Sequence, residues 1–230
     1  MGAGGWRRVR LPLPRLGSTI TARIWSPDRD TDRMLVAHDG PEYQSRGGLA
    51  EHAARWPAGY HLVLLPPGER EDWYSACPAY ADSLVLDVLP RLRARLGTGR
   101  AVGAGVSLGA LAMLHAQRSH PAGFAGLFLQ SGSYFQPRHD RQESGFRHWS
   151  RIIRYVRRVL AGATGPAVPA TLTCGAAEEN LANNRDMTDA LRNQGYPVTL
   201  AVGPGGHDWS SWGTALDPHL TALLRRTWLD

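Results

Sequence analysis

The chain divides into short apolar runs and longer stretches with helical spacing. "WRRVRLPLP" and "STITARIWSP" alternate apolar and polar positions and are joined by Gly17-Ser18. That pattern predicts two paired strands, and their prolines place them at a sheet edge. "RMLVAHDG" and "YHLVLLPPG" are apolar runs closed by turn residues, as in strands buried on both faces. "AYADSLVLDVLPRLRARLG" sets Tyr80, Leu84, Val88 and Leu92 at helical spacing and stops at Gly97. "RAVGAGV" reads as a strand, "LGALAMLHAQRSH" as a helix, and "GLFLQSGSYF" as a strand and loop. "HWSRIIRYVRRVLAG" is a basic amphipathic helix and "VPATLTCG" a strand. "NNRDMTDALRNQG" is a helix ending at Gly195, "PVTLAVGPGG" a strand and turn, and "SSWGTALDPHLTALLRRTWL" one closing helix. Strands alternating with helices predict an α/β domain over residues 1–230, a mainly parallel sheet with helices on both faces. The longest excursion, 133–165, is placed to form a small cap.

With 43% apolar residues and mixed charge, 230 residues suffice for a large single core. The longest apolar runs, such as "LVLL" at 62–65, are too short to span a bilayer. No apolar core follows the first arginines, and "MGAGGW" lacks the Ser or Thr of a myristoylation signal. The expectation is therefore a cytoplasmic protein without a membrane partner. Cys77 and Cys174 form neither a disulfide framework nor a metal site, and no metal or cofactor is implied. All 26 basic residues are arginine, and the net charge is +6. Such a field attracts anions. The arginines are scattered and lack an aromatic platform or a helix-turn-helix pattern, which argues against nucleic acid and leaves an anionic small substrate. Arg138, Arg141, Arg147, Arg151, Arg154, Arg157 and Arg158 all fall in the excursion, among Tyr134, Phe135, His148 and Trp149. Arg138 and Arg141 are the better candidates for meeting an anionic aromatic ester. Arg151, Arg154 and Arg158 also fit the solvated face of a helix.

Chemistry enters at "GAGVSLGA", residues 103–110. A chain of this composition shows G-x-S-x-G by chance in about one case in six, so the pentapeptide needs its context. A strand precedes Ser107 and a helix follows, as in a nucleophile elbow, whose strained turn requires small flanking residues. Gly105 and Gly109 supply them. The Leu108 N–H then faces the developing oxyanion. A serine hydroxyl needs a base, and "AVGPGGHDWSSW" offers His207 in a glycine-rich loop after a strand. The acid belongs after the preceding strand, where "TLTCGAAEENLANNR" offers Glu178 and Glu179; Glu178 is preferred. Asp208, adjacent to the base, is expected to point away from it. The order Ser107, Glu178, His207 is that of the α/β-hydrolases.

Six segments in order carry a further signal: "LVAHDGPEY", "REDWYSACPAYADSLVLDVLPRL", "GVSLGALAML", "LFLQSGSYF", "GAAEENLANNRDM" and "GGHDWSSW". Together they resemble the esterase family of enterochelin esterases, esterase D and the antigen 85 proteins, nearest to the cytoplasmic siderophore-esterase branch. The resemblance implies an α/β-hydrolase fold and ester hydrolysis, with catecholate siderophore triolactones as typical substrates of that branch. It implies Ser107 as nucleophile, His207 as base and a second oxyanion donor near Gly40 or Glu42 (Pro41 has no N–H). It implies that Arg70 contacts substrate or braces the site. Asp39 in the same loop, with Tyr134 and Arg138, completes the expected substrate contacts. Only a short strand pair precedes "RMLVAHDG", and Tyr134-Phe135 stand where the family often has two tryptophans. The leading function is a serine carboxyl-ester hydrolase acting on a small-molecule ester or lactone. The alternatives are an acyltransferase or macrolactone-forming, thioesterase-like enzyme with the same acyl-enzyme, and a non-catalytic binding protein of the same fold.

Overall fold

The computed structural model describes residues 4–162 and 165–229. The start of "MGAGGW" and positions 163–164 of the 133–165 excursion lie outside the described residues. Among those described, eight strands form one sheet: β1 (Gly5–Leu13), β2 (Ser18–Ser26), β3 (Met34–Ala37), β4 (His61–Leu64), β5 (Ala101–Val106), β6 (Phe124–Gln130), β7 (Ala170–Gly175) and β8 (Val198–Gly203). Their spatial order is β1-β2-β4-β3-β5-β6-β7-β8. The β1–β2 hairpin pairs antiparallel and joins β4 antiparallel; β3 to β8 run parallel. The hairpin is thus at the edge, where the prolines of β1 cost no central ladder bonds.

The helices are α1 (Gly40–Ser45), α2 (Leu49–Arg55), α3 (Arg70–Tyr74), α4 (Pro78–Asp82), α5 (Leu89–Leu96), α6 (Leu108–Ser119), α7 (Trp149–Leu160), α8 (Leu181–Asn193), α9 (Trp209–Thr214) and α10 (Thr221–Trp228). They cover both faces of the sheet. Met34, Val36, Leu127 and Leu129 project into one core with α4 to α8; Leu35, Ala37, Val102, Ala104 and Phe128 project into a second, with α1, α2 and α10. A strand buried on both faces reads as an uninterrupted apolar run, which is why β3, β5 and β6 were legible. No helix among the described residues is long and apolar enough to cross a membrane.

Two helices depart from expectation. The stretch ending at Gly97 is helical from Pro78 to Leu96 but passes through a π-turn at Ser83–Val88. Pro90 has no N–H to return to Leu86, and the wider turn just before it absorbs the missing bond. Gly97 ends the helix in the left-handed conformation, φ 66°. The closing helix is broken: Asp217, before Pro218, is extended at φ −118°, ψ 121°, and separates α9 from α10. A residue preceding proline is pushed out of the helical region, so one continuous helix could not form.

Candidate active site

Ser107 stands between β5 and α6 at φ 55°, ψ −122°, a conformation L-residues rarely adopt. Its N–H donates to the Gln130 carbonyl at the end of β6 (2.9 Å). Gly105 is required here, because a Cβ at that position would lie 2.4 Å from the Gly109 carbonyl oxygen. The elbow therefore turns the serine upward while β5 and α6 touch backbone to backbone.

His207 follows β8 in the loop before α9. Its Nε2 lies 3.2 Å from Ser107 Oγ, and its Nδ1 lies 2.7 Å from Glu178 Oε2. Glu178, just past β7, is 8% exposed. Its Oε1 accepts from the Ser131 hydroxyl (2.7 Å) and the Gly175 N–H (2.6 Å). Burial pushes the carboxyl's pKa up, but the bonds from His207, Ser131 and Gly175 outweigh it and hold it below the usual carboxylate value. Glu178 is therefore a carboxylate and can only accept, so the His207 proton sits on Nδ1 and leaves Nε2 free to take one. Glu179 is exposed and accepts from Gln142 (2.9 Å) instead. Asp208 points away from the base and caps α9 through the Ser211 N–H (3.0 Å).

Several supporting residues were missed in the sequence. Trp212 lies edge-on to His207 at 5.0 Å and donates its indole N–H to Ser131 Oγ (2.8 Å). Asn184 clasps the Gly132 peptide at both its N–H and its carbonyl, each at 3.0 Å, and Asn180 donates to the Ser131 carbonyl (2.8 Å). The signal was present as the unusual "NLANN" at a helix start. His38 is fully buried, and burial lowers its pKa to about 4. It is neutral, donating from Nδ1 to the Gly109 carbonyl (2.9 Å) and accepting at Nε2 from the Tyr80 hydroxyl (2.8 Å). It ties the loop after β3 to the first turn of α6.

Four expectations need correction. The Gly40 N–H donates to the Leu65 carbonyl (2.9 Å), so it is spent on the fold. The preceding Asp39 sits at φ 50° and its amide is directed at the buried Tyr74 hydroxyl, whereas the Leu108 N–H makes no backbone hydrogen bond outside its helix among the described residues. The Asp39 carboxylate is 3% exposed and is gripped by Arg70 through Nε (2.8 Å) and Nη2 (3.1 Å), so it braces the loop rather than facing a ligand. Arg70 Nη1 makes no hydrogen bond among the described residues. Tyr134 is 0% exposed and packs in the core against Gly132, out of reach of any substrate.

The arginines are the fourth correction. A cleft of about 450 Å³ opens beside Ser107, walled by Ser133, Phe135, Phe146, Glu143 and Glu179. None of the seven arginines lines it. Arg138 pairs with Asp186 (2.6 Å), Arg147 with Asp72 (3.4 Å), and Arg151 donates to the carbonyls of Ser75 and Asp72. Arg154, Arg157 and Arg158 are exposed on α7, whose Ile152, Ile153, Tyr155, Val156 and Val159 are buried. That helix covers the sheet. Only the stretch before it, with the short 3₁₀ turn Arg141–Gly145, reaches over the cleft.

A sheet of this order, with a strained serine between a central strand and its helix, defines an α/β-hydrolase. The chain belongs to the esterase family ("Putative esterase"), whose profile matches residues 34–223. Solved structures share the fold. The enterobactin esterase from Shigella flexneri, crystallised with 2,3-dihydroxy-N-benzoyl-glycine, superposes with a TM-score of 0.79 at 22% identity, over 98% of this chain and 60% of that one. S-formylglutathione hydrolase from Staphylococcus aureus gives 0.74 at 14% identity over 97% of each chain. A ferulic acid esterase gives 0.71 at 18% identity over 96% of this chain and 98% of that one. The chain thus spans about 60% of the length of the enterobactin esterases it matches. No curated protein sequence matches it.

Proposed function

We propose that the protein hydrolyses small-molecule carboxylic esters through an acyl-enzyme on Ser107, with His207 as base and Glu178 as its orienting acid. The observation that carries this reading is the hydrogen-bonded chain from Ser107 Oγ through His207 to Glu178 (3.2 and 2.7 Å). Ser107 Oγ attacks the ester carbonyl carbon and its proton passes to His207 Nε2. The carbonyl oxygen becomes an oxyanion facing the amide of Leu108, the N–H that follows the nucleophile at the start of α6. Collapse breaks the ester C–O bond, and the alcohol leaves with the proton from His207. Water then attacks the acyl-enzyme, gives its proton to His207 and releases the acid as Ser107 Oγ recovers a proton.

The cleft favours an aromatic or apolar group against Phe135 and Phe146, and Glu143 and Glu179 disfavour a strongly anionic substrate. The likeness to enterobactin esterase supports a siderophore-type ester or lactone only at the level of fold. We therefore place the substrate among uncharged esters or lactones of this size. Ser107→Ala is the direct test. Assayed on p-nitrophenyl esters, it should stay folded and lose roughly a millionfold in turnover; a variant keeping even a hundredth of the wild-type rate would refute the assignment.

A further inference from the structure

The triad leaves one hydroxyl at the nucleophile without a role. Ser133 Oγ lies 3.0 Å from Ser107 Oγ, in the cleft wall, and the residue is 5% exposed. Its backbone N–H donates to the Ser107 carbonyl (3.2 Å), and the neighbouring Gly132 peptide is clasped by Asn184. Backbone contacts thus set the distance between the two hydroxyls. Ser133 Oγ has no other hydrogen-bond partner among the described residues.

The direction of the Ser133–Ser107 bond follows from the protons available. His207 carries its proton on Nδ1, against the Glu178 carboxylate, so Nε2 accepts. The Ser107 proton goes to Nε2. The one hydrogen left for the pair of serines is that of Ser133, which therefore donates into Ser107 Oγ.

We propose that Ser133 is a further catalytic residue, a hydrogen-bond donor that stabilises negative charge on Ser107 Oγ. The proposal rests on Ser107 being the nucleophile. Hydrogen bonds to an ionised acceptor are about twice as strong as neutral ones, so the bond tightens as Oγ gains charge. Two steps charge that atom. In acylation, Oγ gives its proton to His207 as the bond to the acyl carbon forms. In deacylation, the C–Oγ bond breaks and Oγ takes the bonding electrons before His207 returns a proton. Ser133 keeps its own proton throughout. Donation into a lone pair also blunts attack, so the benefit is larger when Oγ departs than when it attacks. Loss of Ser133 should therefore slow deacylation more than acylation.

The experiment begins by labelling the wild type with a fluorophosphonate and locating the adduct. A wild type left unlabelled at Ser107 overturns the nucleophile assignment and this proposal with it. With labelling established, Ser133→Ala, Ser133→Cys and Ser133→Thr are compared by stopped flow on a p-nitrophenyl ester, with thermal unfolding as the fold control. Ser133→Ala should lower kcat roughly tenfold or more. KM should fall with it, a burst of p-nitrophenol equal to the enzyme concentration should appear, and intact mass should show acylated Ser107. Ser133→Cys, close in shape but a weak donor, should behave like the alanine variant, while Ser133→Thr should recover most of kcat. The proposal is overturned if Ser133→Ala or Ser133→Cys turns over within twofold of wild type. It is equally overturned if KM alone changes, or if Ser133→Thr is as slow as Ser133→Ala.

Discussion

Replacing Glu178 by glutamine tests the site through a tautomer rather than through charge alone. In the structure two donors, Ser131 Oγ and the Gly175 N–H, converge on one carboxylate oxygen, and His207 Nδ1 meets the other. An amide has one oxygen and one NH₂. With its oxygen toward Ser131 and Gly175, it presents N–H to His207, which must then accept at Nδ1 and carry its proton on Nε2. That satisfies every group, but His207 can no longer take the Ser107 proton. Turning the amide round restores the working tautomer, but the Ser131 hydroxyl must then rotate to accept and the fixed Gly175 N–H faces NH₂. That unmet donor costs about 1–3 kcal/mol, so the inactive arrangement is favoured by roughly that amount. With the lost stabilisation of the imidazolium, Glu178→Gln should reduce kcat by about 10³–10⁴. The assay is steady-state turnover of a p-nitrophenyl ester, with circular dichroism to confirm an unchanged fold. Glu179→Gln, whose carboxylate meets only Gln142, should stay within about twofold by the same warrant. A Glu178→Gln enzyme retaining a tenth of wild-type kcat, or an equal loss from Glu179→Gln, would refute the reasoning.

Three further predictions follow from burial and charge. Burial holds His38, His52 and His115 neutral in the fold, their pKa values lowered to about 4. Between pH ~6.5 and ~4 the unfolded chain binds three protons that the folded chain does not, so stability should fall as pH drops, by up to about 4 kcal/mol per pH unit; a flat urea-unfolding profile across that window would contradict it. Gly105→Ala forces a methyl into the backbone of α6 and should cost at least about 2 kcal/mol in unfolding free energy and most of the activity; a normal melting temperature with normal kcat would disprove the close approach. Because none of these arginines lines the cleft, Arg138 is paired with Asp186, and the cleft carries Glu143 and Glu179, kcat/KM for an anionic ester should not exceed that for a neutral one of equal size, nor should Arg138→Ala change their ratio. A charged-substrate advantage that fades with added salt would restore electrostatic steering.

The strands, and Ser107, Glu178 and His207 as candidates, were legible because their signals are local. β3 to β8 are apolar runs with turn residues at their ends, and Ser107, Glu178 and His207 each follow one of them. What escaped the sequence depends on partners far along the chain. Arg138 reads as a free cation until Asp186, 48 residues on, takes it. Gly40 reads as a free amide until Leu65 is seen to accept from it. Tyr134 reads as a cleft aromatic until the turn at Ser131, φ 48°, sends the loop back over the core. The helices α1 and α2, six and seven residues long, are not predicted, because so short a stretch gives too few turns for a periodic pattern.

The groups of the proposed relay all lie where strands end. Ser107 follows β5, Ser131 β6, Glu178 β7 and His207 β8, four neighbours in the sheet. The wall of the cleft is built differently: Phe135, Glu143 and Phe146 belong to a connection that, beyond Ser131 and Ser133 at its root, contributes no strand and no link in the relay. That connection is pinned near its start, where Asp140 accepts from Asn183 and from the Gln136 amide and Gln136 reaches Asp186. At its far end it is held by α7. Between those anchors the backbone is exchangeable cargo on a fixed machine. Grafting a loop of different length or chemistry between Asp140 and Trp149 would redraw the range of substrates while the reaction carried out beneath it stays the same.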